Sequence, residues 1–115
     1  KWAICLKEKP EQVIGDISVV DRDEAVNACD VGYILSKDYW GQGLMTEALK
    51  AVLIYLLQDA GFNRVTARFV TANPASGRVM TKAGMSYEGT FRQAVFHKGQ
   101  VKDFSVHGIL KSDLK

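Results

Sequence analysis

Apolar residues recur along this chain in two periods, and the switches between them mark its elements. Residues 2–6 are apolar and β-favouring and read as a strand. Residues 7–12 read as a charged turn with Pro10 at its centre. Residues 13–20 form a second strand that pairs with the first as a hairpin, and Gly15 inside it marks a bulge or a close approach. Residues 21–27 are acidic and turn-like, and residues 28–35 are a third strand. From Leu44 to Ala60 the period changes. Met45, Leu49, Val52, Leu53, Leu56 and Ala60 recur at helical spacing, with Glu47, Lys50 and Gln58 off the stripe. Gly61 sits where a left-handed cap belongs, with Phe62 folding back onto Leu57. Residues 63–70 return to alternation: Val65, Ala67 and Phe69 on one face, Thr66 and Arg68 on the other. Asn73 as N-cap and Pro74 at the first helical position open a short helix to Ala83. Ala75, Val79, Met80 and Ala83 are its inward residues; Gly84 ends it, and Met85 returns onto Met80. Residues 86–91 are a strand, 92–100 a turn region with Lys98 and Gly99 at its tip, and 101–110 the last strand. The order β-β-β-α-β-α-β-β predicts one α+β domain over residues 1–115. Its early strands pair as a meander, and its central β-α-β unit is a parallel crossover.

The junction of the third strand with the long helix is the chemically distinctive stretch. Trp40-Gly41-Gln42-Gly43 separates them. The first N–H groups of a helix have no intrahelical partner, and the dipole there favours negative charge. Gly41 and Gly43 lack a Cβ, so an anion can approach the main chain. A core helix behind an inert turn is the alternative that a lone G-x-G leaves open.

Bulk properties narrow the field. The composition is 47% apolar and 24% charged, with a formal charge of +2 and no basic run, so nucleic acid is not the expected partner. Cys5 and Cys29 are expected to serve as small core hydrophobes, and Cys/His metal spacing is absent, so no metal is expected. No apolar run approaches a membrane span, and the expected compartment is the cytoplasm. The chain opens at Lys1 almost directly in a strand, which suggests that an N-terminal part precedes it.

Two nucleotide motifs fail on inspection. The third glycine of a dinucleotide fingerprint would fall at Thr46, and Thr71 stands where the acidic residue belongs. No G-x-x-x-x-G-K follows a strand, which excludes a P-loop. A nucleotide-binding α/β domain therefore has only an incomplete motif behind it.

Several segments in fixed order do carry a specific likeness. They are residues 32–35 (Gly-Tyr-Ile-Leu), 39–48 (Tyr-Trp-Gly-Gln-Gly-Leu-Met-Thr-Glu-Ala), 73–76 (Asn-Pro-Ala-Ser) and 82–89 (Lys-Ala-Gly-Met-Ser-Tyr-Glu-Gly). Together they resemble the GCN5-related N-acetyltransferases (GNAT), above all the branch that acetylates ribosomal-protein N-termini, over nearly the whole chain. The resemblance implies a mixed, mostly antiparallel sheet splayed into a V, with flanking helices and acetyl-CoA in the cleft. The family's first strand and two helices have no counterpart here. The likeness implies that Gly41, Gln42, Gly43, Leu44, Met45 and Thr46 hold the pyrophosphate, with Asp38 replacing the loop's usual leading Arg or Gln. It implies that the main chain of Tyr33, Ile34 and Leu35 faces the pantetheine arm and the thioester oxygen. Asn73 would contact the arm, Met80 and Lys82 would belong to the cofactor site, and Arg78 with Lys82 would screen its phosphates. Ser76 would protonate the leaving thiolate, directly or through water; Asp30, on the third strand where relatives often carry an acid, is the first candidate for general base, and Val95 stands where some relatives carry a glutamate. His97 would border the acceptor, and His107 would be structural. The activity implied is direct acetyl transfer to a primary amine, of a protein N-terminus or a small molecule, in a homodimer at family level. A non-catalytic acyl-CoA-binding module is the alternative.

Overall fold

In the computed structural model, which describes residues 1–114, six strands form one sheet in the order β1-β2-β3-β4-β6-β5. They are β1 (Trp2–Leu6), β2 (Lys9–Asp23), β3 (Ala28–Leu35), β4 (Arg64–Val70), β5 (Ser86–His97) and β6 (Gln100–Leu110). Helix α1 (Leu44–Ile54) joins β3 to β4, and α2 (Pro74–Lys82) joins β4 to β5. β3 and β4 are parallel, and every other pairing is antiparallel. The predicted α+β order and the parallel central crossover are both present.

The alternation in the strands decides where the helices lie. Ile17, Cys29, Val31, Val65, Ala67 and Ile109 point to one face and join Met45, Leu49, Leu53, Leu57, Met80 and Met85 in a buried cluster. Both helices therefore lie on that face. The other face presents Asp30, Thr66 and Arg68, which alternate with the core residues. There the Arg64 guanidinium pairs with both Glu88 oxygens across β6. It can do so because a Cβ at Gly108 would run into the Glu88 carboxylate.

Several element boundaries differ from the sequence reading, each for a local reason. β2 starts at Lys9 and includes Pro10, not a turn centred on it. Pairing jumps from Leu6↔Lys9 to Cys5↔Val13, so Pro10 lies in an irregular stretch where its missing N–H costs no ladder bond. Asp21 and Asp23 extend β2 because they pair with Asp30 and Ala28, which confines the turn to residues 24–27. The long helix is α-helical only to Ile54 and then takes a π turn over Tyr55–Asp59, closed by the Ala60 N–H on the Tyr55 carbonyl at 2.9 Å. The extra residue in that turn brings Leu57 into the core and leaves Ala60 exposed, against the predicted stripe. Gly61 does cap in the left-handed region, at φ 81°.

In α2, Ala75 is exposed and Gly77 is buried in its stead. Gly77 meets the Phe69 ring, which would lie 2.9 Å from an added Cβ. β5 continues through the predicted turn region to His97, with an irregularity between Phe91 and Val95. Only Lys98 and Gly99 turn, both at positive φ. Cys5 is exposed, contrary to the core role expected of it, whereas Cys29 is buried.

Candidate active site

The parallel pairing of β3 with β4 runs from Ala28↔Arg64 to Val31↔Ala67 and stops. β3 nevertheless continues to Leu35 with β2 as its partner, and β4 continues to Val70 with β6. The two strands part at Val31 and Ala67, and the sheet opens into a V. Along the β3 side of the opening, Gly32, Tyr33, Ile34 and Leu35 have no β4 partner. Main-chain groups on that edge are available to a ligand.

The glycine turn closes one end of the opening. Trp40 donates its indole N–H to the Leu35 carbonyl at 2.8 Å, which ties the turn to the end of β3. Gly41 and Gly43 both have φ 76°, and nothing stands within 4 Å of where their Cβ atoms would be. The first helical bond of α1 runs from the Glu47 N–H to the Gly43 carbonyl, 3.0 Å. The amides of residues 41–46 take no backbone acceptor in the turn, so they are free to face an anion. Asp38 lies in the short 3-10 turn Lys37–Tyr39 and is exposed, so its carboxylate sits in solvent while its carbonyl accepts the Gln42 amide at 3.5 Å.

Across the opening stands the first turn of α2. The Tyr33 hydroxyl donates to the Ser76 carbonyl at 3.2 Å, spanning from β3 to α2. Burial raises the Tyr33 pKa, with the Ser76 bond opposing, so the phenol stays protonated and keeps donating. The Asn73 amide donates to the Ser76 Oγ at 3.4 Å instead of capping its own helix. Ser76 and Asn73 are thus brought together at the mouth of the V, with Tyr33 holding the turn that carries them. Sequence reasoning did not find the Tyr33 tether or the Trp40 clamp. The signal for the clamp was a polar-tipped aromatic, Trp40, beside the glycine turn; Tyr33, within β3, carried none.

Other predicted residues stand differently. Met80 is 1% exposed and packs in the core cluster, so its side chain does not line the cleft. Asp30 is buried; Thr66 Oγ1 donates to one of its oxygens at 2.9 Å, and the Arg68 Nε lies 3.3 Å from the other. Both oxygens of the candidate base are therefore engaged. Val95 is half-buried in β5, and His97 is exposed at the hairpin end. His107 is buried between Phe69 and Tyr87. Lys82 lies with Arg78 on the flank of α2 formed by Pro74, Gly77 and Thr81, which lines a separate cavity against β6. Burial pushes the Cys29 thiol up to about 11, which leaves no thiolate there.

The family model described as Acetyltransferase (GNAT) domain matches residues 1–86. The ribosomal-protein-serine acetyltransferase of Escherichia coli (strain K12) is 30% identical over 86% of this chain and 55% of its own length. A crystal structure described as an acetyltransferase (GNAT family) from Bacillus anthracis superposes with TM-score 0.84 at 27% identity, covering 95% of this chain and 64% of that one. RimL, described as a ribosomal L7/L12 alpha-N-protein acetyltransferase in complex with coenzyme A, shares the fold at TM-score 0.82 and 23% identity, over 88% and 57% of the two chains. The chain spans between 45% and 63% of the length of these curated relatives.

Proposed function

The chain belongs to the GNAT acetyltransferase family, and on that premise we propose that it is an acetyl-CoA-dependent N-acetyltransferase, working in the cytoplasm as one domain over residues 1–115. The acceptor is a primary amine, of a protein N-terminus or a small molecule, that attacks directly in a ternary complex. The observation that carries this reading is the parting of β3 from β4 at Val31 and Ala67, beside a glycine turn whose amides are unoccupied. That arrangement fits the group. A diphosphate needs several converging N–H donors without side-chain obstruction, and residues 41–46 offer them.

Bound acetyl-CoA would supply the acyl carbonyl and the thiol leaving group. The chain supplies the rest. Residues 41–46 hold the phosphates. The unpaired edge of Tyr33, Ile34 and Leu35 offers main-chain groups to the arm and a donor to the developing oxyanion, a contribution typically of about 100- to 1000-fold in rate. Asn73 positions Ser76, and the Ser76 hydroxyl gives its proton to the departing sulfur, directly or through water, and regains one from solvent. Because Thr66 and Arg68 occupy Asp30, proton removal from the amine falls to ordered water, with Asp30 as an electrostatic support.

The same occupation of Asp30 favours a second reading, a non-catalytic acyl-CoA-binding module. Calorimetry with acetyl-CoA, followed by a mass-spectrometric screen of N-terminal peptides, polyamines and amino acids, separates the possibilities. Binding with acetylation of an amine is expected. Binding without turnover on any acceptor leaves the module, and no binding overturns both readings.

A further inference from the structure

Away from the V, a cavity of about 400 Å³ opens between α2 and the sheet. Its helical wall is the stripe of Pro74, Gly77, Arg78, Thr81 and Lys82, at i, i+3, i+4, i+7 and i+8. This is a different flank from Val79, Met80 and Ala83, which pack in the core that α1 shares. Phe69, Thr71 and His107 form the sheet side. Arg78 and Lys82 are the cations that line it, and no carboxylate lines it.

Two hydrogen-bond chains end on its walls. The first links the hydroxyls of Tyr87, Thr90, Ser105 and Thr71 in sequence, at 2.8, 2.9 and 2.8 Å. If each hydroxyl donates to the next, the chain leaves the Thr71 hydrogen for a group inside the cavity. The second is shorter. His107 Nε2 lies 3.3 Å from Thr81 Oγ1, and His107 Nδ1 is buried without a partner. A buried orphan N–H is rarer than a buried orphan acceptor, which favours the tautomer with hydrogen on Nε2. That nitrogen then donates to Thr81 and leaves the Thr81 hydrogen free. Burial lowers the His107 pKa against the raising influence of Glu88, which keeps the ring neutral as this requires.

The cavity thus gathers two hydroxyls, each able to donate, and two cations above the apolar surface of Phe69. From this geometry we infer that the flank of α2 is a second ligand site, for a small organic monoanion: a carboxylate on an aromatic or short aliphatic body. The carboxylate takes the hydrogens of Thr71 and Thr81 and the charge of Arg78 and Lys82, and the body lies on Phe69. The inference does not rest on the acetyltransferase reading.

The test is amide and side-chain NMR of the whole chain, titrated with benzoate, benzamide and benzylamine, without coenzyme A. Benzoate should move the resonances of Thr71, Gly77, Thr81 and His107 with a millimolar-range Kd, and benzamide should bind about tenfold more weakly. Benzylamine should leave them unmoved. Arg78→Glu, on an exposed side chain, should weaken benzoate about tenfold or more. Thr71→Val, which keeps the branched shape, should weaken benzoate by removing a hydroxyl donor. Equal shifts with all three compounds would overturn the inference. So would an unchanged benzoate affinity in Arg78→Glu and Thr71→Val, shifts confined to residues 41–46, or no shifts at all.

Discussion

Gly43 is the residue on which the cofactor reading is most exposed to test. It occupies the N-cap of α1 in the left-handed region, with open space where a side chain would start. Gly43→Glu places a carboxylate and bulk against the proposed phosphate position and adds strain of about 1–2 kcal/mol for an L residue at positive φ. Coenzyme A affinity measured by calorimetry should fall by about 100-fold or more. Unchanged affinity would place the phosphates elsewhere, and a melting curve separates lost binding from lost folding. Ser76 is a subtler case, because its Oγ accepts the Asn73 amide and its carbonyl accepts Tyr33. Ser76→Ala removes the hydroxyl and keeps the carbonyl, so the helix turn stays tethered. Turnover should drop about 100-fold while coenzyme A affinity shifts less than about threefold. An unaltered rate would assign thiolate protonation to water.

At the level of elements, the site depends on how α2 is held against β3. The Tyr33 hydroxyl makes a side-chain bond between them, and it reaches the turn that carries Ser76. Tyr33→Phe keeps the ring and deletes that donor, at a stability cost of about 1 kcal/mol. Hydrogen exchange at the first turn of α2 should quicken, and kcat should fall more than the KM for acetyl-CoA rises. If exchange and kcat are both unaltered, the tether has no positioning role. β3 and the start of α1 were legible in the sequence because a period of two gives way to glycine and then to a period of 3.6. The π turn over Tyr55–Asp59 was not, since one extra residue in a turn leaves no compositional mark; it shows only in Ala60 exposed and Leu57 buried. The length of β5 was hidden likewise. Gln93 takes a positive φ and gives its N–H to Asp103, an irregularity that bends the strand without ending it, and the polar residues there read as a turn. Of the site, the glycine turn and the Asn73–Ser76 pair were readable because they are local. The occupation of Asp30 was not, because Thr66 and Arg68 reach it only after β3 and β4 pair.

Over the whole molecule, two titrating groups link β5 and β6 to the rest of the sheet, and both make the fold sensitive to acid. Hydrogen bonding to Arg64 holds the Glu88 carboxyl below its usual range, with burial opposing and the charges of Arg64 and His107 assisting. A carboxylate with a lowered folded pKa stabilises above its unfolded value of about 4.3 and loses that contribution as pH falls through the folded value. His107 acts at higher pH. Burial lowers its folded pKa, with Glu88 opposing, so the unfolded chain binds the proton first. Stability should therefore begin to fall as pH drops below about 6.5, the unfolded imidazole value, and the loss should level off once the folded ring is protonated too. Phe69 and Tyr87 flank the ring at centroid distances of 5.4 and 5.8 Å, so phenylalanine fits the same surroundings. His107→Phe removes the orphan Nδ1 together with the Thr81 bond. Melting temperatures taken from pH 7 down to pH 5 should decline in the parent chain and stay nearly flat in His107→Phe, while both chains lose stability below about pH 4.3 through Glu88. Parallel curves in the upper window would show that His107 titrates alike in the folded and unfolded chains, and its burial would then carry no linkage to folding.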